Sequence, residues 1–370
     1  MSTRIAYLTG QYPRATDTFI QREVAALRKR GVHVQTFSIR KPGNDHCVGK
    51  EQVEEGQRTI YVLPPKPIKL LADHAALFFK SPARYFTTLW LAMTIRSPGI
   101  KSIFFSLFYF IEAGVIAREM QRQKLVHVHN HFANSSCTVA MLVAKLGGVT
   151  YSFTTHGPAI FFEPKLWRIE EKIKRSLFVS CISHFCRSQV MIWTKLDQWN
   201  KLHIVHCGVD PSLFDIVTPR PEQANLMYVG RLDIVKGLPI LLRSVAKLKE
   251  TQPHVQLKVV GDGPDRARLE QLSAELDIET NVNFVGFQSQ AEVRQHLQDT
   301  DIFVMSSFAE GVPVVLMEAM AAGLPVVTTR IAGIGELVED GVSGFLVPPS
   351  DIDSLTNRLD QLINDAALRG

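Results

Sequence analysis

Ile302-Phe-Val-Met-Ser-Ser-Phe-Ala-Glu310-Gly-Val-Pro-Val-Val-Leu-Met-Glu318-Ala-Met-Ala-Ala-Gly-Leu-Pro325-Val-Val-Thr328 holds two short apolar runs, Ile302 to Met305 and Pro325 to Thr328, around a stretch bearing glycine and proline. Such runs read as buried strands, and the stretch between them as a loop opening into a helix at the carboxyl edge of a parallel sheet. Ligands of open α/β sheets bind at that edge. Glu310 and Glu318 are eight residues apart, a little over two helical turns. This predicts both carboxylates on one side of the helix, with Glu310 at its entrance and Glu318 within it. Gly311 and Pro313 let the backbone approach a ligand and fix the first turn, whose free amides attract anions. Two acceptor-only groups beside an anion site suit a ligand with both hydroxyls and phosphates, as in a sugar nucleotide.

Further pieces appear in order along the chain. They are Gly230-Arg231-Leu232 with Lys236-Gly237, Gly261-Asp262-Gly263-Pro264, Phe284-Val285-Gly286, and Gly344-Phe345-Leu346-Val347-Pro348. A bare glutamate pair at this spacing fits an ordinary surface helix equally well, so these companions carry the discrimination. Together with Glu310 and Glu318 they resemble the E-x7-E motif and flanks of the retaining glycosyltransferases of family 4, which have the GT-B fold. The resemblance covers nearly the whole chain and is strongest after Asn225.

A chain of 370 residues is long enough for two domains. Its five cysteines, Cys47, Cys137, Cys181, Cys186 and Cys207, are too scattered for a disulfide framework, and no Cys/His group has zinc-finger spacing. The amino terminus opens on a strand pattern, Arg4 to Leu8, instead of a charged region and an apolar signal core. A cytoplasmic setting is expected, peripheral on the inner face of the cell membrane. Ser102 to Ala117 is the longest apolar-aromatic stretch; it contains Glu112 and reads as a buried helix.

Charge is divided unevenly. Residues 1–200 carry 27 lysines and arginines against 13 acids, and residues 201–370 carry 14 against 23. No nucleic-acid-binding signature accompanies the basic half, and no nucleic-acid partner is expected. Between Tyr61 and Ile111, Lys66, Lys69, Lys80, Arg84, Arg96 and Lys101 face a single acid, Asp73, and alternate with Phe78, Phe79, Tyr85, Phe86 and Trp90. That interleaving favours an anionic membrane surface. Lys165 to Arg175 reads as a second basic, amphipathic helix. A solvated helix face accounts for both stretches as well.

Strand and helix patterns alternate throughout, predicting an α/β protein with two Rossmann-like, doubly wound sheets. The first has strands at Arg4 to Leu8, His33 to Ile39, Val126 to Val128, Ser152 to Thr154, Phe178 to Ile182 and His203 to Val205. The second has Leu226 to Val229, Val255 to Val260, Val282 to Val285, Ile302 to Met305, Pro325 to Thr328 and Gly344 to Val347. Turn formers from His206 to Phe214 and the Pro219-Arg-Pro221 stretch mark a linker. The expected division is an acceptor-side domain over residues 1–206 and a donor-binding domain over 207–370, facing across a cleft in the GT-B manner. The resemblance also implies a final helix crossing back to the first domain. The chain stops at Gly370 soon after the helix beginning near Asp351, so that crossover is expected to be missing or short.

Arg231 follows a strand and a glycine, and Lys236 precedes a glycine and a helix, so both cations belong where a diphosphate would lie. In the resembled family such a pair binds the donor diphosphate. By the same resemblance Glu318 holds the ribose diol, Glu310 contacts hydroxyls of the transferred sugar, and amides at Gly311 and Val312 complete a phosphate cradle. Gly261-Asp262-Gly263 reads as a tight strand-to-helix turn. Thr155-His156-Gly157 resembles the family's H-G element, which places His156 beside the donor sugar. Gly10-Gln11-Tyr12-Pro13 leads a loop that in relatives meets donor and acceptor, and its run to Ile20 resembles exopolysaccharide and colanic-acid-type transferases. Thr18 and Gln21 suggest a capping box.

His127, His129 and His131 alternate at a strand end. No carboxylate accompanies them, so no metal is assigned, and the adjoining Phe132-Ala-Asn-Ser-Ser resembles an acceptor-side loop. Asp299-Thr-Asp301 and Asp351-Ile-Asp353 match the D-x-D pattern of metal-dependent transferases. The first falls at a helix end and the second reads as a helix cap. Neither a metal nor another cofactor is expected.

The resemblance thus implies a retaining, metal-independent, hexosyltransferase-type enzyme moving sugar from a nucleoside diphosphate sugar to a glycan or lipid-linked acceptor in polysaccharide synthesis, with His156 and Glu310 nearest the chemistry. An epimerase of the same fold would need acid/base carboxylates in the first domain, and a phosphorylase a pyridoxal-phosphate lysine and more chain. A non-catalytic sugar-nucleotide-binding component of an assembly complex is the alternative from another class.

Overall fold

The computed structural model describes residues 3–43, 46, 49–157, 159–218 and 225–370. It divides into two compact units, Met1–His206 and Cys207–Gly370. The Pro219–Pro221 part of the expected linker lies outside the described residues.

In the first unit the described strands are β1 (Arg4–Gln11), β2 (His33–Arg40), β3 (Ile60–Tyr61), β4 (His127–His131), β5 (Thr150–Thr155), β6 (Val179–Cys181) and β7 (Leu202–Ile204). They form one parallel sheet in the order β3-β2-β1-β4-β5-β6-β7. Strand β3 escaped the sequence reading because its two residues, paired with Phe37 and Ser38, are too few to show a period.

The second unit carries β8 (Asn225–Val229), β9 (Gln256–Val260), β10 (Val282–Gly286), β11 (Ile302–Met305), β12 (Val326–Thr329) and β13 (Gly344–Val347), parallel in the order β10-β9-β8-β11-β12-β13. All four residues of β11 are buried. Helices cover both faces of such a sheet, which is why this strand is continuously apolar. Chain order reverses between β1 and β4 in one sheet and between β8 and β11 in the other. Loops diverge at such a reversal and leave room for a ligand.

Three expectations in the first unit need correction. Ser102 to Ala117 lies within the helix Ile100–Arg122, which is buried only in part. Phe110, Ala113, Ile116, Ala117 and Met120 are in the core, whereas Ile100, Phe104, Phe105 and Phe108 are more than half exposed. At 23 residues the helix is long and apolar enough to cross a membrane by length and composition, yet its C-terminal half belongs to the core. Second, Lys165 to Arg175 is an α-helix only from Ile169, and Lys172 points inward. Its ammonium donates to the carbonyl oxygens of Ala133 and Asn134 at 2.6 and 2.8 Å, and burial pulls its pKa down to about 8. That side chain anchors the loop after β4. Third, no capping box forms at Thr18. The helix Thr18–Lys29 starts after Asp17 without a side-chain cap; Asp17 pairs with Arg14 at 2.7 Å, and Gln21 donates to the Arg14 carbonyl at 3.1 Å.

Candidate active site

Strands β8 and β11 adjoin at the reversal of the second sheet, with Ile302 opposite Leu226 and Phe303 opposite Met227. β8 therefore delivers Gly230 and Arg231, and β11 the loop Ser306–Glu310, to one carboxyl edge. The loop is locked onto the turn before the helix Leu238–Thr251. Phe308 N–H donates to the Val235 carbonyl at 2.8 Å, and Ser306 Oγ to the Gly237 carbonyl at 3.0 Å. Gly237 has φ +63°, and a Cβ there would lie 2.1 Å from the Ser306 carbonyl oxygen. Only glycine fits that approach. Gly261, at φ +126°, would place a Cβ 2.0 Å from the Gly230 carbonyl oxygen, and Leu232 N–H donates to the Asp262 carbonyl at 3.0 Å. The Gly261-Asp262-Gly263 turn thus packs directly against the Arg231 loop.

Lys236 Nζ lies 2.6 Å from Glu310 Oε1, which also accepts from Ser307 Oγ at 2.8 Å. Their side chains are 21% and 8% exposed, so the pair is largely withdrawn from water. The resemblance assigns the two residues separate ligand contacts; in the structure they hold each other. Glu310, expected at the helix entrance, stands ahead of it, so helical spacing does not relate it to Glu318. The helix spans Val314–Ala321 with Pro313 as its N-cap, so Glu310 precedes it and is positioned by Lys236 and Ser307. Glu318 lies within the helix and is buried. Gly311 and Val312 occupy the helix entrance, where the Gly311 carbonyl accepts from Gly333 N–H at 3.1 Å. Arg231 is 58% exposed and only loosely associated with Asp233, at 3.8 Å. A guanidinium held this weakly can turn to an incoming anion.

His156 and Gly10 belong to the first unit. Gly10 lies within β1, where a Cβ would meet nothing within 4 Å, so packing does not require glycine there. His156 follows β5 and packs against Phe19 and Phe132, with ring centroids 4.6 and 5.0 Å away. Its Nε2 lies 2.9 Å from His131 Nδ1. Burial and the neighbouring His131 ring hold its pKa well below the usual histidine range. The sequence reading found no carboxylate beside the β4 histidines. Folding brings one from far along the chain, placing Glu23 Oε2 3.6 Å from His131 Nε2.

The fold uses both D-x-D segments. Asp301 Oδ2 accepts from Asn225 N–H at 3.0 Å. Asp351 caps the helix Ile352–Asn364 by accepting from Ser354 N–H at 2.9 Å, and Asp353 pairs with Lys247.

Two family models match the chain: "Glycosyltransferase Family 4" over residues 91–213 and "Glycosyl transferases group 1" over residues 211–369. A putative colanic acid biosynthesis glycosyltransferase, WcaL, of Salmonella typhimurium is 37% identical over 382 residues, covering 96% of this chain and 89% of the relative. Among solved structures, the sucrose-phosphate synthase of Thermosynechococcus elongatus superposes with a TM-score of 0.77 at 20% identity, covering 100% of this chain and 91% of that one. HepE of Anabaena, solved with UDP-glucose, superposes with a TM-score of 0.74 at 18% identity, covering 99% and 91%. The structural matches establish the GT-B fold, and the near full-length relative establishes the lineage: this chain belongs to glycosyltransferase family 4.

Proposed function

We propose that the chain is a retaining, metal-independent glycosyltransferase that moves a sugar from a nucleoside diphosphate donor to a glycan or lipid-linked acceptor during polysaccharide assembly. The observation that carries this reading is the Lys236–Glu310 pair at the β8/β11 edge, with the loosely held Arg231 on the adjoining loop. A lysine ammonium has three hydrogens. One engages Glu310, leaving the others for a diphosphate oxygen, while Arg231 supplies a second cation. Both described hydrogen bonds to Glu310 use Oε1, so Oε2 remains for a sugar hydroxyl. Glu318 takes the ribose diol, and the amides at the helix entrance face the phosphates.

Transfer then needs no nucleophilic side chain. The bond from the anomeric carbon to the diphosphate breaks with its electrons leaving on phosphate, where Arg231 and Lys236 stabilise the charge. The acceptor hydroxyl bonds to the same face of that carbon, and its proton passes to the departing phosphate oxygen. Because the cations are already present, no metal is invoked. HepE was solved with UDP-glucose, so uridine donors head the list to be tried. The test is transfer in excess chelator, with the product's anomeric configuration read from its proton couplings. Retention of configuration without added metal is expected; inversion, or activity restored only by Mn²⁺ or Mg²⁺, contradicts the proposal.

The acceptor side is assigned to the first unit, working against an anionic membrane surface. Apolar stripes support this: Ile68, Leu71 and Phe79 on the helix Pro67–Lys80, Phe86 and Trp90 on Pro82–Thr94, and Ile100, Phe104 and Phe108 on Ile100–Arg122 are all more than half exposed. Lysines and arginines share these helices. Exposed aromatics beside cations suit the boundary between lipid headgroups and acyl chains.

A further inference from the structure

In the first unit, β4 carries three imidazoles and His156 follows β5 directly. Alternation places His127, His129 and His131 on one face, beside Thr150, Ser152 and Thr154 of β5. The first two rings are fully occupied. His127 lies 2.7 Å from both Thr150 Oγ1 and Ser152 Oγ, and His129 is 2.7 Å from Ser152 Oγ and 2.9 Å from Thr154 Oγ1. His131 departs from this pattern. Its Nδ1 meets His156 Nε2 at 2.9 Å, while its fully buried Nε2 makes no hydrogen bond among the described residues and faces Glu23 Oε2 at 3.6 Å. Glu23 is held from its other side, because Tyr7 Oη on β1 donates to Oε1 at 2.5 Å.

We propose that Glu23 and His131 are positioning residues that set the tautomer of His156, leaving its Nδ1 as a hydrogen-bond acceptor for a carbohydrate hydroxyl. The hydroxyl's role rests on the glycosyl-transfer reading above. Burial keeps both rings neutral, with the His131 pKa pushed down to about 3. Two neutral imidazoles sharing one hydrogen bond have two arrangements. In one, His131 Nδ1–H donates to His156, and the bare His131 Nε2 confronts the Glu23 carboxylate, acceptor against acceptor. In the other, His156 Nε2–H donates to His131 Nδ1, and the His131 hydrogen sits on Nε2, towards the carboxylate. A negative charge on that side selects the second. His156 Nδ1, which makes no hydrogen bond among the described residues, then carries a lone pair where β5 ends.

A metal is the competing reading, because Glu23, His129 and His131 place ligand atoms within 4.8 Å of one another. Both His129 nitrogens, however, are engaged by Ser152 and Thr154. Two free ligands are fewer than the three protein ligands of a catalytic zinc site.

The test is long-range ¹⁵N–¹H correlation of the full chain labelled in histidine, with His131 and His156 assigned by single substitution. Both rings are expected as Nε2–H tautomers. In Glu23→Gln the amide oxygen keeps Tyr7 while the amide nitrogen donates to His131 Nε2, so both rings should switch to Nδ1–H, with an unchanged thermal midpoint. Transfer should fall about tenfold in kcat/KM as the hydroxyl loses its acceptor. Glu23→Ala provides a second variant should the amide disturb folding; there the two His156 ring nitrogens should move to intermediate shifts that average both tautomers. An Nδ1–H tautomer of His156 in the natural chain, or no change in either variant, overturns the relay. Broadening or shift of these ring signals by one equivalent of zinc overturns it in favour of a metal. The tautomer readout requires no turnover, so it stands or falls separately from glycosyl transfer; a switched tautomer with unchanged kcat/KM refutes the assigned use of His156.

Discussion

Replacing Lys236 with methionine keeps the stem of the side chain and removes its charge. Glu310 would then be buried with only Ser307 for support. Removing one partner of a buried ion pair costs about 3–5 kcal/mol. With 21% of the Lys236 side chain exposed, water recovers part of this, and about 2–3 kcal/mol is expected. Glu310→Gln alone leaves a cation that can reach water and should cost about 1 kcal/mol. In Lys236→Met/Glu310→Gln the orphaned charge is gone, so the double variant should be more stable than Lys236→Met, with a coupling of about 1.5–2 kcal/mol. Activity should not follow stability: both Lys236 variants should lose about a hundredfold in transfer, because the diphosphate still lacks its cation. All four tryptophans, Trp90, Trp167, Trp193 and Trp199, precede residue 207, so their fluorescence reports the first unit. Urea unfolding followed by both far-UV circular dichroism and fluorescence identifies the second unit by the transition that only dichroism detects. Strictly additive stabilities, or transfer restored in the double variant, would refute the reasoning.

Gly237→Ala would drive a methyl into the Ser306 carbonyl, and it should displace the β11 loop and abolish nucleotide binding; a variant that binds normally in calorimetry would show the approach to be dispensable. Burial raises the Glu112 carboxyl to about 7, against an opposing effect of Arg40. Folding therefore retains a proton that the unfolded chain loses from about pH 4.5 upward, and stability falls as pH rises from there to about 7. Glu112→Gln should accordingly stabilise the first unit at pH 8 by on the order of 2 kcal/mol, seen as a higher fluorescence-detected melting point, and leave it unchanged near pH 4.5; equal effects at both would contradict this. On anionic vesicles Trp90 emission should shift to the blue, and Phe104→Ser/Phe108→Ser should weaken sedimentation at low and high salt alike, as expected for apolar insertion. Absence of vesicle binding at low salt would return these stripes to another role.

Both sheets were legible because their strands are apolar runs separated by helical segments, and Ile302 to Met305 needed no context. The placement of Arg231, Lys236 and Glu310 at one sheet edge was legible for a related reason: Arg231 and Glu310 come after strands, and Lys236 precedes a glycine and a helix. Their mutual arrangement was not legible. Spacing puts Glu310 at a helix entrance on one side with Glu318, but the loop hydrogen bonds to Lys236 and Ser307 decide its position. Exposure was equally hidden along Ile100–Arg122, since Phe104 and Phe110 are the same residue type on different faces and only the neighbouring helices distinguish them. Glu23 carried no signal, because its relation to His131 exists only once the helix Thr18–Lys29 packs over β1 and β4.

The central claim is that the edge formed by β8 and β11 binds the donor diphosphate. Calorimetric titration of UDP, GDP and ADP into the full chain, in excess chelator, tests it most directly when repeated with Arg231→Ala and Glu318→Gln. One nucleotide should bind at one site per chain, about tenfold or more weaker in each variant. Binding of undiminished affinity in both variants would place the donor elsewhere and contradict the account.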